Sequence, residues 1–180
     1  MSHLDTITWD VYESPLGPLT LRARAGGLAG VSFPGRGDAG ADSVHDPAAL
    51  APVVAQLEAY FAGERRAFDL PLDLTGSPFQ RRVWRELALI PYGETISYGE
   101  LARRVGRPEI VRGVAAVVGQ TPAPIVVPCH RVVAADGALT GYGGGLERKA
   151  ALLDLERRVA GHEPSGPGRR RGQLLSLIHI

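Results

Sequence analysis

The stretch SYGELARRVGRPEIVRGVAAVVG, from Ser97 to Gly119, decides how the second half of this chain folds. Ser97 is a residue of N-cap type, and Leu101, Ala102 and Val105 follow at helical spacing until Gly106 stops the run. Pro108-Glu109 opens another helix that runs to about Gly119. Two short helices joined across a tight glycine-containing turn predict a helix-turn-helix. In the second helix Ile110, Val114, Val117 and Val118 form a buried stripe. The opposite face carries Arg112, Gly113, Ala115, Ala116 and Gly119, one cation among very small side chains. Such a face suits low-bulk packing of a partly exposed helix. It equally suits close approach to a nucleic-acid groove, with Arg112 entering the duplex.

Upstream, Ser77-Pro78 is a cap followed by proline at the first helical position, and Phe79, Val83, Trp84, Leu87 and Ile90 continue as one apolar face up to Pro91-Tyr92-Gly93. Downstream, Ile125-Val126-Val127 and Arg131-Val132-Val133 flank Pro128-Cys129-His130. This sets the cysteine beside buried apolar segments. Ala135 to Ala138 reads as a turn, and Thr140-Gly141-Tyr142-Gly143-Gly144-Gly145 as a glycine-rich loop before a last helix from Leu146 to about Val159. The loop lacks the spacing of a phosphate-binding loop.

The first half reads differently. Thr6 to Tyr12 is rich in β-branched and aromatic residues, Pro15 to Pro18 supplies a turn, and Leu19 to Arg24 returns, so a hairpin is predicted. Leu28 to Phe33 is a third strand, Pro34 to Asp46 a loop, and Pro47 to Phe61 a helix stopped by Gly63. Phe68 to Leu74 alternates but contains Pro71, which makes it an edge strand or a linker. The expected organisation is a small sheet-plus-helix α+β domain over residues 1–74, a mostly helical domain over 75–160, and a disordered tail over 161–180.

Composition narrows the class of protein. Across 180 residues, 44% hydrophobic and 22% charged residues support a packed core, which excludes a disordered chain. No run approaches the roughly 18 apolar residues of a membrane helix, and Met1 to Asp5 shows no secretory pattern, so the expectation is a cytoplasmic protein with no membrane partner. The near-neutral total hides an asymmetry. Residues 1–76 carry 5 Arg against 10 Asp and Glu, and residues 77–160 carry 12 Lys and Arg against 8 Asp and Glu. The basic second half hints at a polyanion, although a gap of that size also arises by chance. Cys129 is the single cysteine, which excludes an internal disulfide, and five scattered histidines suggest no metal cluster.

A cysteine in an apolar setting is usually an inert core residue. It becomes a nucleophile only where a base assists, because a thiol of reference pKa near ~8.5 is mostly protonated at neutral pH. His130 is adjacent, yet neighbours in an extended strand point apart, so a turn or helical geometry is required. A carboxylate would then orient the imidazole, with Asp154 and Glu156 on the last helix as candidates. The residues alone leave both roles for Cys129 open.

Ile125-Val126-Val127-Pro128-Cys129-His130-Arg131-Val132 resembles the active-site signature of the O6-alkylguanine-DNA alkyltransferases. Phe79-Gln80-Arg81-Arg82-Val83-Trp84, Pro91-Tyr92-Gly93-Glu94-Thr95, Ser97-Tyr98, Arg112, Gly141-Tyr142-Gly143-Gly144-Gly145-Leu146 and Glu156 follow in the same order and spacing. The resemblance covers residues 6–160, strongly from 77 onward. It implies a ribonuclease-H-like first domain, a winged-helix-like second domain, and DNA repair by direct reversal. The damaged guanine is rotated out of double-stranded DNA, and its O6-alkyl group passes irreversibly to Cys129 in a single turnover; O4-alkylthymine is a second candidate substrate. By the same resemblance His130 is the general base through a water, and Glu156 orients it. Arg112 replaces the flipped base, Tyr98 donates to the leaving guanine, and the carbonyls of Cys129 and Val132 read its exocyclic amine. Gly143 N–H contacts O6 and Tyr142 walls the pocket. No cofactor and no metal are implied, and the protein is expected to act as a monomer.

Thr121 departs from the pattern, which has asparagine there to tie the recognition helix to the cysteine loop. A hydroxyl is shorter and carries fewer donors than an amide, so slower transfer is expected. Gly143 stands where some relatives have serine. A non-catalytic helix-turn-helix regulator is the competing reading, and it leaves Pro128-Cys129-His130 without a role. A cysteine hydrolase would have to recruit a distant histidine, His45 or His162.

Overall fold

A computed structural model describes residues 6–161. The readings of Met1 to Asp5 and of the tail beyond Gly161, His162 included, lie outside the described residues.

The expected hairpin forms as β1 (Thr8–Ser14) and β2 (Gly17–Arg24), antiparallel with Tyr12 opposite Leu19. It turns through Pro15-Leu16, where the Ser14 hydroxyl accepts from Leu16 N–H and donates to the Gly17 carbonyl. β3 (Gly27–Ser32) pairs with β2. Gly27 is required twice over: its φ is +134°, and an added Cβ would meet the Pro71 carbonyl oxygen at 2.3 Å.

One expectation for the first half is corrected, and of the two readings of Phe68 to Leu74 the linker holds. The loop from Pro34 to Asp46 contains a strand, β4 (Val44–His45), which pairs in parallel with β1 and completes a sheet of order β3-β2-β1-β4. Two residues are too few to show the alternation that betrays a strand. The stretch Phe68 to Leu74 is not a strand; it makes one bridge, Leu72 to Leu28, as it passes the β3 edge, and Pro71 contributes only its carbonyl. Directly after β4, Asp46 caps α1 (Pro47–Phe61) by accepting from Ala49 N–H, and the helix buries Leu50, Val53, Leu57 and Tyr60.

The second half opens with α2 (Pro78–Ala88), where Ser77 and Gln80 form a reciprocal capping box over buried Val83, Trp84 and Leu87. β5 (Ile96–Ser97) leads into α3 (Tyr98–Arg104), capped by the Ser97 hydroxyl. The second helix of the helix-turn-helix starts later than expected. Pro108 to Ile110 is a 3-10 turn, α4 covers Val111–Gly119, and Ile110 is half-buried rather than part of the buried stripe. β6 (Val132–Val133) pairs in parallel with β5, which joins the entry to the helix-turn-helix to the segment leaving Cys129. The last helix is α5 (Leu146–Gly161). A single apolar core runs from Leu19 and Leu21 of the sheet to Leu101, Val114 and Val127. The architecture is a sheet-and-helix domain followed by a helical domain that contains the helix-turn-helix.

Candidate active site

The chain enters the site under strain. Ile125 has φ +74°, a left-handed conformation that costs a β-branched residue about 1–3 kcal/mol. Its burial and the hydrogen bond from Val127 N–H to the Ala123 carbonyl hold it there. Pro128 then leads into a 3-10 turn over Cys129–Arg131. This turn is the non-extended geometry that the Cys-His pair needs, since a 3-10 turn advances each residue by a third of a revolution rather than half.

Cys129, His130 and Arg131 are all buried. His130 Nε2 lies 2.8 Å from Glu156 Oε1, and Arg131 grips the same carboxylate from Nε to Oε2 at 2.9 Å and from Nη2 to Oε1 at 2.8 Å. Two further donors complete the set: the Tyr60 hydroxyl at 2.8 Å and Gly93 N–H at 3.3 Å. Of the two carboxylates offered by the sequence, Glu156 is the partner. Asp154 is exposed and pairs with Arg158 on its own helix.

Burial alone would push the Glu156 carboxyl upward, but hydrogen bonds and charge from His130 and Arg131 outweigh it and hold the group well below the usual carboxylate range. Glu156 is therefore an acceptor only, and Nε2 of His130 carries the proton donated to it. Burial lowers the His130 pKa despite Glu156, so the imidazole is neutral and its Nδ1 lone pair, which has no protein partner, is the basic site. Burial pushes the Cys129 thiol up to about 11, against the Thr121 hydroxyl, the Lys149 charge and local backbone N–H groups, all of which favour the thiolate. The cysteine is a protonated thiol awaiting a base.

The remaining sequence-predicted residues surround this centre. Thr121 Oγ1 donates to the Val118 carbonyl at the end of α4 at 2.7 Å and also meets the Cys129 thiol, so it spans the two segments that the resemblance joins through asparagine. Tyr98, Arg112, Tyr142 and Gly143 line a cavity of about 560 Å³ together with Ala115, Gly119 and Thr140. Arg112 is exposed in the first turn of α4. The Tyr98 hydroxyl donates to the Thr140 carbonyl at 3.2 Å. The Tyr142 hydroxyl is buried without a well-aligned partner, near enough to Cys129 for the thiol to help raise its pKa after burial, the larger cause. A Cβ on Gly143 would meet only the Gly119 carbonyl at 3.9 Å, so serine would fit. The Val132 carbonyl accepts from Lys149 Nζ at 2.6 Å, and that of Cys129 from Val132 N–H. His45 lies in the sheet against Asp10 and Trp9. Among the described residues no three of His, Cys, Asp and Glu gather to hold a metal ion, and no helix is long and apolar enough to cross a membrane.

Arg131, Lys149, Tyr60 and Arg36, the last of which also lines the cavity, were not foreseen as site residues. Arg131 had a signal, because a lone arginine inside the apolar run from Ile125 to Val133 is buried and needs a partner. Lys149 had one too: with Leu152, Leu153 and Glu156 it occupies the buried face of α5 at i, i+3, i+4 and i+7. Its ammonium holds the Val132 and Thr140 carbonyls. Tyr60 and Arg36, from the first domain, had none.

A buried cysteine next to a carboxylate-held histidine, with a helix-turn-helix and a cavity beside them, defines a protein that pairs a thiol with its own base on a DNA-binding scaffold. Family profiles described as the ribonuclease-like and DNA-binding domains of 6-O-methylguanine DNA methyltransferase match residues 7–74 and 78–158. The chain is 50% identical over 165 residues to the methylated-DNA–protein-cysteine methyltransferase of Mycolicibacterium paratuberculosis, covering 88% of this chain and 96% of that protein. Its structure superposes on the crystal structure of Mycobacterium tuberculosis O6-methylguanine methyltransferase with a TM-score of 0.81 at 45% identity, covering 89% and 97% of the two chains. The DNA complex of the M. tuberculosis protein gives 0.80 at 48% identity, covering 84% and 94%. The chain belongs to the methylated-DNA–protein-cysteine methyltransferase family, the O6-alkylguanine-DNA alkyltransferases.

Proposed function

We propose that this protein reverses alkylation damage in DNA by transferring the alkyl group of O6-alkylguanine to Cys129. The observation that carries the reading is the Cys129-His130 turn with His130 Nε2 held 2.8 Å from a buried, ionised Glu156. The DNA-binding domain presents α4 to the duplex, Arg112 fills the place of the extruded base, and the base enters the cavity between Tyr98 and Tyr142. Through a water, His130 Nδ1 takes the proton of the thiol, and Glu156 stabilises the imidazolium that results. The sulfur attacks the alkyl carbon in line, the S–C bond forms as the C–O6 bond breaks, and the bonding pair leaves with guanine, which takes a proton from the Tyr98 hydroxyl. The carbonyls of Cys129 and Val132 and the N–H of Gly143 orient the base. The thioether is stable, so each molecule reacts once, as a monomer in the cytoplasm and without a cofactor.

Intact-protein mass after incubation with a duplex containing O6-methylguanine tests this. The expected result is gain of one methyl, absent in Cys129→Ala. Unchanged mass with tight DNA binding would overturn it in favour of a regulator.

A further inference from the structure

Tyr60 stands on the last turn of α1, in the domain that carries neither the cysteine nor the helix-turn-helix, yet its hydroxyl donates to Glu156 Oε1 at 2.8 Å. The residue is fully buried. Its ring is packed by Phe61, Phe68 and Tyr92, with centroids at 5.3, 5.4 and 6.2 Å, so the hydroxyl has one direction to point. Every other donor to that carboxylate, His130, Arg131 and Gly93 N–H, comes from the second domain. We propose that Tyr60 is a positioning residue for alkyl transfer, through which the first domain sets the orientation of Glu156 and the basicity of His130. The inference rests on the alkyl-transfer reading.

The physical case is one of shared lone pairs. A carboxylate offers about four lone-pair sites, and Glu156 meets five donors, with Oε1 shared by His130, Arg131 and Tyr60. Tyr60 thus draws off part of the negative charge that would otherwise act on His130, and it adds a third donor that restrains Oε1. The other polar and charged groups facing this pair are Tyr92, Lys149, Cys129 and Tyr142. None of them donates to Oε1 of Glu156.

The test compares Tyr60→Phe with Val53→Ala, which trims the buried face of the same helix and touches no polar group of the site. Single-turnover methyl transfer from saturating O6-methylguanine duplex is followed against pH, alongside DNA affinity and the nitrogen NMR titration of His130. In Tyr60→Phe the rate should fall on the order of tenfold through misplacement of the base, with DNA affinity unchanged. The His130 midpoint should move to higher pH in both readouts. Val53→Ala should lose stability with the midpoint unmoved. A wild-type rate and midpoint in Tyr60→Phe, or the same midpoint shift in Val53→Ala, would overturn the proposal. Should the wild-type protein transfer no methyl, the functional reading fails, and the NMR titration still decides what Tyr60 does to His130.

Discussion

Arg131 and Glu156 form a buried two-point ion pair, and Arg131 Nη1 also donates to the Ile90 carbonyl at 2.6 Å. Because His130 and Arg131 are consecutive in one 3-10 turn and both end on the same carboxylate, Glu156 fixes the angle of that turn and with it the presentation of Cys129. Arg131→Met would leave a carboxylate buried without its cation, which costs about 3–5 kcal/mol. Urea unfolding should show that loss. Arg131→Lys should recover only part of it, since an ammonium cannot span both oxygens.

Acid stability should report on Glu156. Its folded pKa is depressed while the unfolded value is about 4.3. Its contribution is therefore fully present above the unfolded value and is lost as pH falls from there through the depressed folded value. Unfolding free energy measured from neutral pH downward should decline steeply in the wild type. Glu156→Gln should start lower and decline less; parallel curves would contradict the assignment.

Burial pushes the Cys129 thiol up to about 11. Its reaction with a soluble alkylating reagent such as iodoacetamide should therefore rise about tenfold per pH unit above neutrality, without the plateau that an ordinary thiol shows near ~8.5. Lys149→Met removes a charge that favours the thiolate and should slow the reaction at neutral pH. Mass spectrometry of the labelled protein gives both rates.

Thr121 donates to the Val118 carbonyl with its only hydroxyl hydrogen while also meeting the Cys129 thiol. An amide offers two N–H donors and a longer reach. Thr121→Asn should accordingly transfer methyl faster than the native protein in single-turnover assays. Equal rates would show that the hydroxyl already holds the loop as firmly as an amide does.

Local signals carried much of the architecture. Ser77 before Pro78 and Ser97 mark helix starts whose side chains do cap as their chemistry requires. Strands of six to eight residues announced themselves by composition and alternation. β4, β5 and β6, of two residues each, did not, because a pairing that short is determined by what lies opposite it. The late start of α4 has a similar cause: Pro108 favours a turn, and local sequence does not distinguish a 3-10 turn from the first turn of an α-helix.

Within the site, residue identity raised Cys129 and His130 as candidates, and the family resemblance pointed to Glu156 and to Tyr98, Arg112, Tyr142 and Gly143 on the lining of the cavity. The residues alone left Asp154 and Glu156 open, the resemblance pointed to Glu156, and the tertiary structure shows why, by turning Glu156 into the core and Asp154 to solvent. It also brought Tyr60 to Glu156 across 96 positions of sequence. Pattern reading sees periodicity within an element, whereas a hydrogen bond between a helix of one domain and a helix of the other depends on how the two pack, and no local preference encodes that. The candidate thiol and its neighbouring histidine were legible along the chain, and the resemblance gave them their roles; the field that keeps the thiol protonated and its base neutral arises only once the fold buries both.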